Sequence, residues 1–474
     1  MLDLSLEWTV SDSAARLLAA PEALMLQQNG ANTRLIVASR GEPGFGALDL
    51  SKSGAFTGEE WHSEAACAGL TGLSAMTATS GMALATGWSD PCIDLPFSTP
   101  PSEPAPRAIS KPLNHIAPHE GGPGIALWQE NAAGTLTLTD TQKDTRRLPL
   151  GDTVAHTTLS LGKRDFAFTA SSFDAGVASF KVKNGTLQTA DIIRPGSAFP
   201  AYQPSCLDAF EHDGTGYLLA GASGSGTLSL FKVAKSGALT SLDTAYDDHG
   251  TRFAGISEIA SGTVNGRPLI AATGSERGLT IFELTDRDTL RPLLTTADGE
   301  VLPLGEVSEM LFGDVGSDQF LFLSDRETNS VSALRLDIPE IDKLHVGKAG
   351  KDALKGGAGH DVLDGKGGAD KLKGNDGDDQ LFDGKGRDKL TGGEGADLFI
   401  FDADKATDKI LDFEPGIDRI DLSAIPMVQG LPSVIIKPRP WGALLLAGDE
   451  RIIIRTADQS TLTFEDFDED DFIF

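Results

Sequence analysis

GKAGKDALK, GGAGHDVLD, GKGGADKLK, GNDGDDQLF, DGKGRDKLT and GGEGADLFI, read in order from residue 347 to 400, are one nine-residue unit written six times without a gap. The fourth place is always Gly (Gly350, Gly359, Gly368, Gly377, Gly386, Gly395) and the sixth always Asp (Asp352, Asp361, Asp370, Asp379, Asp388, Asp397). The eighth place is Leu354, Leu363, Leu372, Leu381, Leu390 and then Phe399. Each unit therefore reads as a Gly-rich turn followed by a strand of two or three residues with one inward apolar side chain. A single unit cannot bury that side chain, so the units must stack. The other reading, a flexible Gly/Asp linker, has no reason to hold Asp and Leu in phase through six units.

Stacking gives the Asp residues a purpose. Successive turns fall on opposite sides of a parallel β-roll, so turns that face each other along one side lie eighteen residues apart. That pairs Asp352 with Asp370, Asp370 with Asp388, Asp361 with Asp379, and Asp379 with Asp397. Backbone carbonyls beside carboxylates suit Ca²⁺, a hard cation that takes several oxygen ligands. The six Gly and six Asp are the candidate ligand set, and the pairing predicts about four Ca²⁺ sites. Without the ion, stacked carboxylates on so small a core predict a largely unfolded segment. Lys348, Lys351, Lys355, Lys366, Lys371, Lys373, Lys385, Arg387 and Lys389 lie inside the repeats and are expected to weaken the field that attracts the cation.

The repeats resemble those of the RTX family of secreted bacterial proteins, with its GGxGxDxUx nonapeptide in which U is a large apolar residue. The stretch DADKATDKILDFEPGIDRIDLSAI, 402 to 425, resembles the capping segment that follows the repeats in serralysin-type proteins. The resemblance implies export from the cytoplasm in one step by type I secretion machinery that reads an uncleaved C-terminal signal. The ending EDFDEDDFIF fits such a signal, and equally fits a solvated acidic tail with a final strand.

Composition agrees with that route. The opening MLDLSLEWTVSDSAARLL has neither a basic region nor an apolar core of signal-peptide length, so the expected location is extracellular without an N-terminal signal peptide. No apolar run of about 18 residues is present, so no transmembrane segment is expected. Cys67, Cys92 and Cys206 are too few and too scattered for a disulfide framework or a zinc site. A net charge of −29 argues against nucleic acid as a partner.

The region before the repeats carries a longer period. DFAFTASSFDAGVASFKVKNGTLQ (165–188), GYLLAGASGSGTLSLFKVAKSGALT (216–240), PLIAATGSERGLTIFELTDRDTLR (268–291) and QFLFLSDRETNSVSALRLD (319–337) align on Phe180, Phe231, Phe282 and Leu334. Fainter copies place Leu50, Leu95 and Leu138 at the same position. Alternating strands at this spacing, with Gly, Ser and Thr at the turns, indicate an all-β chain whose N-terminal part is a seven-bladed β-propeller. A tandem array of β-sandwiches is the competing arrangement. The strand from Leu6 to Val10 is placed to close the ring, and Pro96 to Pro112 reads as a loop. The expected domains are a propeller over 1–340 and, over 341–474, the roll with its capping strands and the secretion signal.

The blade pattern also resembles lactonase-type seven-bladed propellers, which implies a binding platform or a hydrolase but names no site. The residues offer one candidate: Asp208, Glu258 and Glu309, spaced by 50 and 51 residues, fall on innermost strands and predict a carboxylate ring in the central channel, with Thr158 and His115 at the same place in earlier blades. Such a ring suits a divalent cation or a polar substrate; residues that merely face the channel or bond to backbone would look the same in sequence. No HExxH is present, so a zinc protease of that class is not expected, and no GxSxG in a strand-to-helix setting, which argues against a lipase or esterase of the α/β-hydrolase kind. Two functions follow: a secreted Ca²⁺-binding protein whose propeller holds an extracellular ligand of unknown identity, or an extracellular lactonase-like metal-dependent hydrolase.

Overall fold

The computed structural model describes residues 3–11, 20–29, 32–39, 44–63, 73–78, 83–87, 114–118, 123–130, 136–172, 175–196, 199–247, 251–285, 287, 288–297, 299, 304–337, 343–428, 430–468 and 471–473. Leu95 and the stretch from Pro96 to Pro112 lie outside them. Among the described residues there is no α-helix. The chain divides into two compact units, one comprising Asp3–Asp247 and Thr251–Asp337, the other Ile338–Phe474.

The first unit is a β-propeller. After β1 (Asp3–Ser11), the strands group into successive small antiparallel sheets. β2 (Pro21–Asn29), β3 (Asn32–Ser39), β4 (Gly44–Leu50) and β5 (Phe56–Ser63) form the first; β6 (Leu73–Ala78) with β7 (Ala83–Gly87), and β8 (Asn114–Pro118), β9 (Gly124–Glu130) and β10 (Leu136–Lys143), form the next two. Three full blades follow. They are β11 (Thr153–Leu161) to β12 (Arg164–Ser171), β13 (Gly176–Lys183) and β14 (Thr186–Ile193); β15 (Pro204–His212) to β16 (Thr215–Ala222), β17 (Thr227–Val233) and β18 (Leu239–Tyr246); and β19 (Glu258–Val264) to β20 (Arg267–Thr273), β21 (Gly278–Leu284) and β22 (Leu290–Ala297). The seventh sheet takes β23 (Val307–Val315), β24 (Asp318–Asp325) and β25 (Ser330–Asp337) and completes itself with β1. Leu6 stands opposite Leu334 and Val10 opposite Val331, so the N-terminal strand closes the last blade.

The blades are joined by apolar layers and by two recurring polar contacts. Phe180, Phe231, Phe282 and Leu334 are all buried on third strands, and Phe231 packs edge-on against Phe199 at 5.5 Å between ring centres. On three of the fourth strands, β10, β14 and β18, an Asp at the bulge reaches the next blade. The carboxylates of Asp140, Asp191 and Asp243 accept the backbone N–H of Leu187, Leu239 and Leu290 at 2.7, 2.8 and 2.7 Å. On the first strands, the hydroxyl of Ser205 donates to the carbonyl of Ile256 at 2.6 Å, and that of Ser308 to the carbonyl of Pro21. The second of these links the last blade to the first.

One alignment needs correction. Leu138 does not share the place of Phe180; it lies on β10 and is 48% exposed. Asp140 in TLTLTD repeats the fourth-strand role of Asp191, so β10 is an outer strand and the third strand is β9, where Trp128 stands opposite His115 as Phe180 stands opposite Ala167. β8, and with it His115, is accordingly a second strand, not an innermost one.

The second unit is a parallel roll with a cap. β26 (Lys343–Val346), β27 (Ala353–Lys355), β28 (Asp361–Asp364), β29 (Gly367–Gly368), β30 (Lys371–Asp376), β31 (Gln380–Phe382), β32 (Lys385–Gly386), β33 (Lys389–Glu394) and β34 (Leu398–Ile400) alternate between two sheets and the turns. The cap adds β35 (Thr407–Ile410), β36 (Arg419–Asp421), β37 (Val434–Arg439), β38 (Gly442–Ala447), β39 (Glu450–Ile454) and β40 (Phe472–Ile473). The register is eighteen residues: Leu354 faces Leu372, which faces Leu390, while Leu363, Leu381 and Phe399 form the opposite row. Both rows continue into the cap, to Ile410 and Ile420, and one apolar core runs from Leu363 to Phe472.

The corrected register makes a stability contrast. Phe231→Ala should cost the propeller about 3–5 kcal/mol by leaving a cavity between blades. Leu138→Ala should change it by less than about 0.5 kcal/mol, because an exposed side chain leaves no void; chemical denaturation of both variants measures the difference.

Candidate metal centres

Each repeat turn presents its Asp in the same way. The backbone N–H of Asp352 donates to Oδ1 of Asp370 at 2.7 Å, and that of Asp370 to Oδ1 of Asp388 at 2.6 Å. On the other side Asp361 donates to Asp379 at 2.7 Å and Asp379 to Asp397 at 2.9 Å. All four eighteen-residue pairs thus meet. The sequence pattern missed how far the columns extend: Asp388 goes on to Asp408 at 2.9 Å and Asp397 to Asp418 at 3.0 Å. These cap residues follow at 20 and 21 residues, out of phase with the nonapeptide, so no nine-residue register finds them.

One oxygen of each carboxylate is held by the backbone and the other is left over. Asp361 Oδ1 and the Oδ2 atoms of Asp370, Asp379, Asp388 and Asp397 are buried and have no hydrogen-bond donor. A buried carboxylate oxygen without a donor is costly unless a cation meets it. Glycine keeps that space open. A Cβ on Gly392 would collide with Oδ2 of Asp397, and one on Gly386, whose φ is +140°, with the carbonyl oxygen of Gly368. Carboxylate and carbonyl oxygens are thereby crowded into a turn with no room for a side chain, a donor set that fits Ca²⁺. The residues that would hold the ion are the sixth-place Asp and the turn carbonyls around the fourth-place Gly; bound there, it would supply charge compensation and cross-link successive turns.

The electrostatics point the same way. Burial, helped by the charges of Asp397 and Asp361, pushes the Asp379 carboxyl up to about 7 from its ordinary 3.8, against the lowering effect of the Asp361 N–H. Burial likewise raises Asp388 to about 6, Asp397 and Asp408 to about 7 and Asp418 to about 8. The basic residues of the repeats do not fill the turns. Lys348, Lys351, Lys355, Lys371, Lys373, Lys385, Arg387 and Lys389 are exposed, and Lys366 extends its ammonium to Asp364 at 2.8 Å. Their charges face solvent, which screens them. The cost of Lys366 is instead in the backbone, since it holds φ at +62° where Gly is favoured.

In the propeller, Asp208, Glu258 and Glu309 lie on β15, β19 and β23, the first strands of consecutive blades. The ladder puts Glu258 and Glu309 on one row: their partners Thr273 and Ser324 stand opposite Leu279 and Val331, each three residues before the buried Phe282 or Leu334. On that row β15 carries Cys206, opposite Gly221 and Leu228, and Asp208 stands two residues further along. The equivalent residue of β11 is Ala155, not Thr158. The equivalent places Ala155, Cys206, Glu258 and Glu309 recur at 51 or 52 residues, so a difference of one or two residues in register is enough to move the reading onto Asp208. The three acids still sense each other. Burial raises Glu258 well above the usual range, with the charges of Glu309 and Asp208 adding to it. Asp208 is also raised by burial, although Ser261 and the N–H of Ala209, at 2.7 Å, donate to it. Burial pushes the Cys206 thiol far up, which leaves it un-ionised and unsuited to act as a nucleophile. Among the described residues, the carboxylate groups whose oxygens come within 4.8 Å of one another are Asp383–Asp388–Asp408 and Asp404–Asp408–Glu450, both in the second unit.

Residues 346–372 and 373–405 match the family model of the RTX calcium-binding nonapeptide repeat. Among solved structures, the AlgE6R3 subunit of the Azotobacter vinelandii mannuronan C5-epimerase shares 29% identity over 29% of this chain and 86% of its own, with a TM-score of 0.23. A candidate 6-phosphogluconolactonase from Bacteroides fragilis shares 14% identity over 62% of this chain and 87% of its own, with a TM-score of 0.41. No curated protein matches the chain.

Two outcomes are expected. In the metal-free protein the raised Asp residues bind more protons folded than unfolded, so their contribution is complete below the ordinary 3.8 and is lost as pH rises through about 6 to 8. Circular dichroism of the metal-free chain should therefore show more β-structure at about pH 5 than at about pH 8, with Ca²⁺ restoring it at the higher pH. For the channel, Glu258→Gln relieves the repulsion from Glu309 and Asp208 and should raise the melting temperature of the propeller transition in metal-free buffer at neutral pH; a fall accompanied by loss of a bound ion would instead identify a channel metal.

Proposed function

We propose that the chain is an exported Ca²⁺-binding RTX protein in which the roll folds on the ion outside the cell and the propeller serves as an extracellular binding platform. The proposed domains are 1–340 for the propeller and 341–474 for the roll, its cap and a C-terminal type I secretion signal. The observation that carries the reading is the pair of Asp columns whose second oxygens are buried without donors. A chain that leaves a Ca²⁺-poor cytoplasm unfolded and meets millimolar Ca²⁺ outside gains folding free energy only at its destination. About four ions are assigned to the eighteen-residue pairs.

The tail supports this reading in a particular way. Phe472 and Ile473 are buried in β40, which pairs with Ile420 and Asp421 at the end of one roll sheet. Asp471 accepts the N–H of Gly416 at 2.9 Å, so the acidic ending is built into the folded cap. An export signal located here is readable only before the cap forms, which ties recognition to the unfolded chain. The lactonase-like hydrolase remains the second reading. It draws on the coupled carboxylates Asp208, Glu258 and Glu309, but the offset of Asp208 leaves them without a shared ligand point.

The test is a Ca²⁺ titration of the full chain followed by circular dichroism and calorimetry, on wild type and on Asp352→Ala, Asp370→Ala and Asp379→Ala. Asp370 and Asp379 each stand between two partners, whereas Asp352 ends its column. The first two should weaken Ca²⁺-induced folding by roughly an order of magnitude and exceed the effect of Asp352→Ala. Equal effects would refute the column arrangement.

A further inference from the structure

At the end of one Asp column the chain gathers carboxylates that do not belong to the nonapeptide. Asp404 comes from the turn after the last repeat, Asp408 from β35, and Glu450 opens β39, far along the chain. Oxygens of these three lie within 4.8 Å of one another, and Asp408 also belongs to a second group of that size with Asp383 and Asp388. Asp383, Asp388, Asp408 and Glu450 are each at most 3% exposed. Backbone donors position the acids: Ala406 N–H donates to Asp404 Oδ1 at 2.7 Å, Gly386 N–H to Asp404 Oδ2, and Lys405 N–H to Glu450 Oε1. Glu450 Oε2 and the Oδ2 atoms of Asp383 and Asp388 are buried with no donor. Lys405, the basic residue of this turn, directs its ammonium to the exposed Asp449 at 2.7 Å.

We propose that Asp404, Asp408 and Glu450 chelate a Ca²⁺ ion of their own, which fastens the cap to the last turn of the roll; the inference rests on the roll being a Ca²⁺ module. The donors are all oxygen and all acidic, which suits Ca²⁺ and not a metal that prefers nitrogen or sulfur. Asp408 links this ion to the neighbouring group of Asp383 and Asp388. The placement gives the ion a structural consequence that a site between two repeats lacks. β39 pairs in parallel with β35, Asp408 opposite Ile452, and also in antiparallel fashion with β38, so an ion on Glu450 anchors the strand on which the β37–β38 hairpin rests. Cap closure is thereby made dependent on Ca²⁺, as the ordering of the repeats is, but through a separate ion.

The experiment is equilibrium dialysis of metal-free full-length protein against Ca²⁺, with a thermal scan of each sample. Gln at 450 keeps an acceptor for the Lys405 N–H and removes the charge and one oxygen ligand. Glu450→Gln should bind about one ion fewer than wild type and gain less in melting temperature on adding Ca²⁺, while Glu450→Asp recovers part of the affinity. Asp449→Asn, which frees the Lys405 ammonium but leaves the three chelating carboxylates in place, should keep the wild-type number of bound ions. Glu450→Gln with wild-type stoichiometry and affinity would overturn the terminal site. Asp379→Asn separates the two readings: if it loses Ca²⁺ while Glu450→Gln does not, only the terminal site falls, and if neither loses Ca²⁺ the roll reading falls with it.

Discussion

A carboxylate gripped through one oxygen and left with the other buried is the constraint on which the C-terminal unit depends. Each column repeats the arrangement at every second turn: a backbone N–H from one turn holds Oδ1 of the next, and the remaining oxygen has no donor. Stacking like charges in a buried row is unfavourable, and only a proton or a cation relieves it. The apolar row from Leu363 to Phe399 cannot stack unless the turns do, and the cap packs on the same core. The state of the carboxylates therefore governs the whole unit, including its final strand.

The propeller is held by different forces. Its blades meet through buried Phe and Leu side chains, through Asp residues that hand a hydrogen bond to the next blade, and through Ser hydroxyls that bridge innermost strands. Closure by β1 on β25 ties its two ends together, with Glu7 and Arg335 2.7 Å apart across the seam. None of these contacts requires an ion. One chain thus joins a unit stabilised mainly by apolar burial to one whose folding is controlled by charge.

Periodicity was the legible part. Where a contact repeats at fixed spacing, as Asp352, Asp370 and Asp388 do, the chain advertises it, because every turn solves the same packing problem with the same residues. Where the spacing drifts, it does not. Asp408 and Asp418 continue the columns at 20 and 21 residues. Asp208 was read onto the row of Glu258 and Glu309, yet that place belongs to Cys206, and Trp128, not Leu138, holds the third-strand position. The cap acids are missed because the connections before them are longer than a repeat turn, and loop length is weakly constrained by the packing it joins. The blade positions are missed although Trp128, Phe180, Phe231, Phe282 and Leu334 recur at 51 or 52 residues, because neighbouring residues and strands of similar composition compete for the same place.

By itself, then, the sequence determined the period, the residue types that must face inward, and the acid and glycine pattern of the turns, because these are local requirements met within nine or about fifty residues. Only the tertiary structure decided which oxygens remain without a donor, where the acidic tail goes, and that Glu450 meets Asp404 and Asp408. Those facts depend on strands distant in sequence arriving side by side, and no local pattern encodes the register at which they meet.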